Sequence, residues 1–219
     1  MLSCERALLD PMVISPGRIF LLSPARAGGP RYSMLLREQA DFDLAIRVRA
    51  GTATIGEVYS FISGLYFRGK MAYAEAFRSA PPGLPSALVI VPGAGLISPE
   101  TIVDMAQLRA IAEIPVDEAN PGFRSPLVEA AKTLDQQARG GCSYVLLGSV
   151  ASGKYTAPLL DIFGERLLFP ADFVGRGDMS RGGLMLRQAH SGIELPYIAV
   201  QGASLRGVRP PKLQKWRKP

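Results

Sequence analysis

One histidine, His190, and two cysteines, Cys4 and Cys142, are all the imidazole and thiol groups in this 219-residue chain. A structural zinc site takes about four such ligands, so no metal is expected, and two thiols build no disulfide framework. Cys142 opens an apolar run and reads as a buried small hydrophobe. Long hydrophobic stretches are also missing. No run approaches the roughly 18 apolar residues that mark a membrane span. The opening MLSCERALLD carries Glu5, Arg6 and Asp10 where a signal peptide needs an apolar segment. A soluble, cytoplasmic chain with no membrane partner and no cofactor is the expectation.

Disorder is excluded by the 47% of hydrophobic residues, which is enough for a substantial core. The charge is unevenly placed. Of 25 lysines and arginines, six follow residue 205: Arg206, Arg209, Lys212, Lys215, Arg217 and Lys218. Removing them leaves 19 basic residues against 19 acidic ones, so the whole excess of +6 lies in SLRGVRPPKLQKWRKP. Interleaved with these cations are two adjacent prolines and Trp216, whose indole suits stacking on a base. An extended tail that holds nucleic acid, DNA or RNA, is one reading. A solvated end that aids solubility, or one that meets another acidic partner, are the others.

Five apolar runs read as strands: RIFLLSPA (18–25), SALVIVP (86–92), CSYVLLGS (142–149), RLLFPADF (166–173) and LPYIAVQG (195–202). Between them lie helical patterns over 32–49, over 55–77 with Gly64 and Gly69 as interruptions, and over 125–141. A helix over 99–112 is expected to start from Ser98 and Pro99. Shorter helices follow near 157–164 and 177–192. Strands apolar on both faces, alternating with helices, predict an α/β domain of three layers: a mostly parallel sheet flanked by helices. The divisions are an N-terminal arm (1–17), a single domain (18–205) and a basic tail (206–219).

Gly148 to Lys154, GSVASGK, fits seven positions of the phosphate-binding G-x-x-x-x-G-K-[ST] loop. The eighth is Tyr155, too long to present a magnesium-ligating hydroxyl, and Thr156 points about 100° further round a helix. Pro158 should shorten that helix or delay its start. A nucleotide-hydrolysing loop is therefore not expected. Gly148, Ser149 and Gly153 still allow backbone amides to meet an anion, with Lys154 adding charge; a tight turn without ligand is the alternative.

Ligands of open parallel sheets collect at the carboxyl ends of the strands. Ser23, Arg26 and Gly28 fall at the first such end, and Gly148 to Tyr155 at another. SGLYFRGK (63–70) adds Tyr66, Arg68 and Lys70, from which Tyr66 and Arg68 are taken as ligand-binding candidates. GRGDMSR (175–181) adds Asp178 and Arg181, either an ion pair that orders a loop or a carboxylate beside phosphate-binding cations. The expected site is one cationic hollow into which Arg68, Lys154 and Asp178 all face, with Asp178 as the acid–base group if a reaction occurs.

The order of FLLSPARAGG, GLYFRGKMAYAEAF, ALVIVPGAGLISP and YVLLGSVASGKYTAPLL resembles a loose group of bacterial proteins, the YaaA-like families. The resemblance covers roughly residues 18–165. That group is similar in sheet organisation to uracil-DNA glycosylases, which implies handling of nucleic acids or nucleobases. The glycosylase signature is absent here: Arg26 and glycines fill the first turn, and Ser191 and Gly192 follow His190. The expected function is a nucleic-acid-associated protein with a nucleobase or nucleotide pocket, with or without turnover. A structural partner in a protein assembly is the remaining alternative.

Overall fold

A computed structural model describes residues 17–211 and 213. Six strands form the main sheet: β1 (Gly17–Leu22), β3 (Ala87–Val91), β4 (Gly95–Ile97), β6 (Cys142–Leu147), β7 (Leu167–Pro170) and β8 (Tyr197–Ala199), in the order β4-β3-β1-β6-β7-β8. β1, β3, β6 and β7 run parallel, and the short edges β4 and β8 are antiparallel. β2 (Ala53–Thr54) and β5 (Ile102–Val103) pair separately.

β1 is central because Ile19, Phe20, Leu21 and Leu22 are all fully buried, so both of its faces must be covered. The helices supply that cover. They are α1 (Pro30–Leu35), α2 (Asp43–Arg49), α3 (Ile55–Ser63), α4 (Leu65–Ala76), α5 (Met105–Ala112), α6 (Pro121–Ala138), α7 (Gly153–Phe163) and α8 (Asp178–Ser191). α4 and α8 pack on each other, with α4 against β1; α6 and α7 pack on each other and meet β3, β4 and β7. The three-layer α/β domain expected from the sequence is what forms.

Chain order places a crevice. The chain leaves β1, adds β3 on one side, then returns to add β6 on the other. The first and last connections diverge between β1 and β6, and a crevice opens there at the carboxyl ends. The register sets Leu22 opposite Leu147, so Ser23 and Gly148 emerge side by side.

Several elements differ from the sequence pattern. The helix expected over 32–49 is two, because residues 37–42 turn and return before α2. Gly64 does break the 55–77 segment, with φ 59° and ψ −122°, whereas Gly69 stays inside α4. The helix expected from Ser98 starts at Met105 instead, where Asp104 and Gln107 form a reciprocal capping box; β5 takes the preceding residues. α7 starts at Gly153 and passes straight through Pro158, so the proline neither delays nor shortens it. Cys142 is buried, as expected.

The chain end does not simply project. Residues 207 and 208 lie against Val174 and Gly175, close enough that a methyl group on Gly175 would meet the Val208 carbonyl. Arg206 and Arg209 are exposed on this segment. Lys212, Lys215, Trp216, Arg217 and Lys218 lie outside the described residues, as do Cys4 and the arm up to residue 16.

Candidate functional site

A cavity of about 1020 Å³ opens at the carboxyl ends of β1 and β6. That is at the upper end of the size range of small-molecule sites. The turn after β1 supplies Ser23 and Arg26, α1 supplies Arg31, α3 and α4 supply Tyr59 and Tyr66, the turn after β6 and the start of α7 supply Ser149, Lys154 and Tyr155, and α8 supplies Asp178. Three cations and one carboxylate therefore surround a wall of three tyrosines.

Those tyrosines are 2–6% exposed, so their rings belong to the core and only their edges reach the cavity. Two of the hydroxyls, on Tyr59 and Tyr66, are buried without a hydrogen-bond acceptor. A buried polar group left without a partner costs about 1–3 kcal/mol, and both tyrosines line the same cavity. Burial raises the Tyr66 phenol to about 12, while the Arg181 guanidinium, close enough to donate to the phenol oxygen, pulls the other way; Arg181 only donates, so the phenol proton still lacks an acceptor. Burial likewise raises Tyr59 and Tyr155. All three remain protonated donors at neutral pH.

Behind Ser23 lies Lys70, 1% exposed. Its ammonium nitrogen donates to the Ser23 carbonyl at 2.8 Å and to Ser23 Oγ at 2.7 Å, and sits 4.0 Å from the centre of the Tyr66 ring. No carboxylate forms an ion pair with it among the described residues. Desolvation is the main cause that lowers its pKa to about 7; Asp178 opposes the shift, and Arg181 and Lys154 add to it. Ser23 is 4% exposed and lines the cavity, whereas Lys70 does not. The serine hydroxyl thus stands between the lysine and the ligand space.

Tyr66 and Lys70 are four residues apart on α4 and share one face. Arg68 lies about 200° round the helix from each. It lines a separate hollow with Arg47, Glu57 and Glu100. This corrects the expectation that Arg68, Lys154 and Asp178 face one cavity: Lys154 and Asp178 do, and Arg68 does not. The polar residue that α4 turns toward the site is Lys70, which the sequence displayed in the same octapeptide. Its helical phase relative to Tyr66 was the signal that could have found it.

The remaining candidates take distinct places. Gly28 lies in the β1–α1 turn with φ +89° and open space around it. Gly148 is a necessity of packing: a Cβ there would come 2.8 Å from Ser23 Cβ and 3.0 Å from Ser23 Oγ. Gly153 opens α7, but the Glu118 carboxylate already lies against its Cα, so the first residue of this helix faces an acid. Tyr155 turns its ring into the cavity wall, and Thr156 Oγ bonds back to the Ser152 carbonyl at 3.5 Å. Neither hydroxyl takes the position a phosphate-binding loop needs for magnesium. Arg181 is buried, donates to the Phe173 carbonyl at 3.3 Å and pairs with Asp178 at 3.6 Å. Asp178 itself is exposed at the cavity mouth. No helix among the described residues is long and apolar enough to cross a membrane.

Comparison of the chain with protein-family models, with curated proteins and with solved structures finds no match.

Proposed function

We propose that this chain is a nucleic-acid-associated protein whose strand-end cavity takes a nucleotide or nucleobase. The observation that carries the reading is that Tyr59 and Tyr66, whose buried hydroxyls lack an acceptor, line a cavity that also bears Arg26, Arg31 and Lys154. A buried donor with no acceptor inside the protein is available to one from outside it, and a bound ligand can supply it. Nucleobase carbonyls and ring nitrogens are such acceptors, and the cations match a phosphate.

The resemblance of the strand-and-turn order to YaaA-like and glycosylase-like proteins supports the same ligand class. The cationic chain end suits a phosphate backbone. In this reading Asp178, exposed and tied to Arg181, orders the cavity mouth, and the buried acid–base capacity lies at Lys70.

A thermal-shift screen against nucleosides and nucleotides, with product analysis of each mixture, tests the proposal. A rise in melting temperature with a nucleotide, lost in the Lys154→Ala and Arg26→Ala variants, is expected. No response to any nucleotide or nucleobase would overturn it. Stabilisation with the added ligand recovered unchanged would mark a sensor.

A further inference from the structure

We infer that Ser23 and Lys70 form a nucleophile and its base, and that they open a carboxylic ester carried on a ribose hydroxyl of the nucleotide held in the cavity. The inference rests on the reading of this cavity as a ligand site and adds a reaction to it. Three features of the geometry carry it.

First, Lys70 Nζ reaches Ser23 Oγ at 2.7 Å, within the distance over which a base takes a hydroxyl proton. Secondly, the arrangement has a direction. Ser23 lines the cavity while Lys70 is sealed behind it, so the lysine meets the serine and not the substrate; attack by the amine itself is excluded by position. Thirdly, Tyr66 spans the same ground. Its ring touches Lys70 Nζ, and its hydroxyl is a buried donor with no acceptor. Phenol donors aimed at developing negative charge stabilise a carbonyl oxyanion. Neutral donors suit a carbonyl better than a doubly charged phosphoryl group.

A purely structural lysine would have a carboxylate partner or a path to solvent. Lys70 has neither among the described residues, and burial brings its pKa to about 7, so much of it is the free amine at neutral pH. The charged groups around it are Asp178 and Arg181 from α8 and Lys154 from α7. Tyr66 and Phe67 from its own helix supply ring faces.

The step balances without a cofactor. As Ser23 Oγ bonds to the ester carbon, its proton passes to Lys70 Nζ and the C=O pair moves onto the carbonyl oxygen, held by Tyr66. Collapse of this adduct breaks the bond to the leaving alkoxide, which takes a proton from water in the cavity and leaves hydroxide. The hydroxide attacks the acyl-serine carbon, the Oγ–C bond breaks, the carboxylic acid departs, and the proton held on Lys70 returns to Ser23 Oγ.

The test is labelling of the full-length protein with a small fluorophosphonate, read by mass spectrometry of the Ser23 peptide. Oγ–P forms, fluoride leaves, and Lys70 takes the proton. The expected result is an adduct on Ser23 whose rate rises as pH passes through about 7 and falls at least 100-fold in Lys70→Met, with none in Ser23→Ala. Absence of a Ser23 adduct in the wild type, or an equal rate in Lys70→Met, overturns the inference. Should Lys70→Met fail to fold, a wild-type rate that is flat between pH 6 and 8.5 overturns it instead. Protection by a nucleoside monophosphate separates the two proposals. A Ser23 adduct that no nucleotide slows supports the pair and counts against the nucleotide reading. Nucleotide stabilisation with no adduct refutes the pair and leaves the cavity as a binding site.

Discussion

Gly69 of α4 and Gly182 of α8 cross backbone to backbone: a methyl group on Gly69 would lie 2.7 Å from the Gly182 carbonyl oxygen. One on Gly182 would meet the Leu65 carbonyl and Tyr66 Cα at 2.8 Å. Both helices would have to separate, because backbone has no rotamer in which to retreat. Gly182→Ala is therefore expected to cost about 1–3 kcal/mol in urea unfolding, in the range of overpacked cores. It also shifts Tyr66 and Lys70, which ride on the same turns of α4. Unchanged stability would mean the helices do not touch at that crossing.

The pH dependence of stability should carry the mark of Lys70. Its folded pKa of about 7 lies below the ordinary 10.5, so between those values the unfolded chain holds a proton that the folded chain has lost. Stability then rises with pH across that interval, by up to about 1.4 kcal/mol per unit. Lys70→Met removes the rise. Denaturation midpoints at pH 7, 8 and 9 measure it; a wild-type curve with the same slope as the variant's contradicts the burial of a neutral amine.

Asp135 predicts the opposite limb. Arg166 grips its carboxylate with both terminal nitrogens, one at 2.8 Å, and the Tyr144 hydroxyl donates to it at 2.9 Å. These bonds, Arg166 foremost, hold its pKa below the ordinary 3.8. The stability it contributes is complete above that ordinary value and is lost as pH falls through the lower folded one. Asp135→Ala is expected to cost about 1.5–3 kcal/mol at neutral pH, as for hydrogen bonds to charged groups, and to flatten the acid limb of the unfolding profile.

The cationic chain end is tested by substitution, since residues 207 and 208 pack on Val174 and Gly175 and deleting them would disturb the domain. Replacing Lys215, Arg217 and Lys218 with Gln should weaken nucleic-acid affinity. For every phosphate that the variant no longer neutralises, the slope of log affinity against log salt should become shallower by about 0.7–0.9. Fluorescence anisotropy with a single-stranded oligonucleotide between 50 and 200 mM salt reads both. An unchanged slope removes the tail from nucleic-acid binding.

The layers and the parallel strands were legible because runs such as RIFLL and YVLLG are apolar on both faces, a pattern that only a covered sheet satisfies. The site's location followed from where those strands end. The side chain at its centre was not legible. Arg68 and Lys70 look alike in the octapeptide SGLYFRGK until helical phase is applied, which puts Lys70 and not Arg68 on the face of Tyr66; that this face meets Ser23, 47 residues earlier, is written in no local pattern. The short β5 and the Asp104 capping box were missed because Ser98 and Pro99 offer an equally good helix start six residues early. Nor does spacing reveal that the Glu118 carboxylate comes to rest on Gly153, since one lies in the loop before α6 and the other opens α7.

The most direct measurement is calorimetric titration of a nucleoside monophosphate into the wild type and into Tyr66→Phe, a change that removes one hydroxyl that lacks an acceptor and leaves the ring. Folded stability should stay level or rise, while affinity falls about tenfold, the value of roughly 1.4 kcal/mol for one hydrogen bond removed. Equal affinity in both proteins, or no binding heat in either, would contradict the assignment of this cavity as the ligand site.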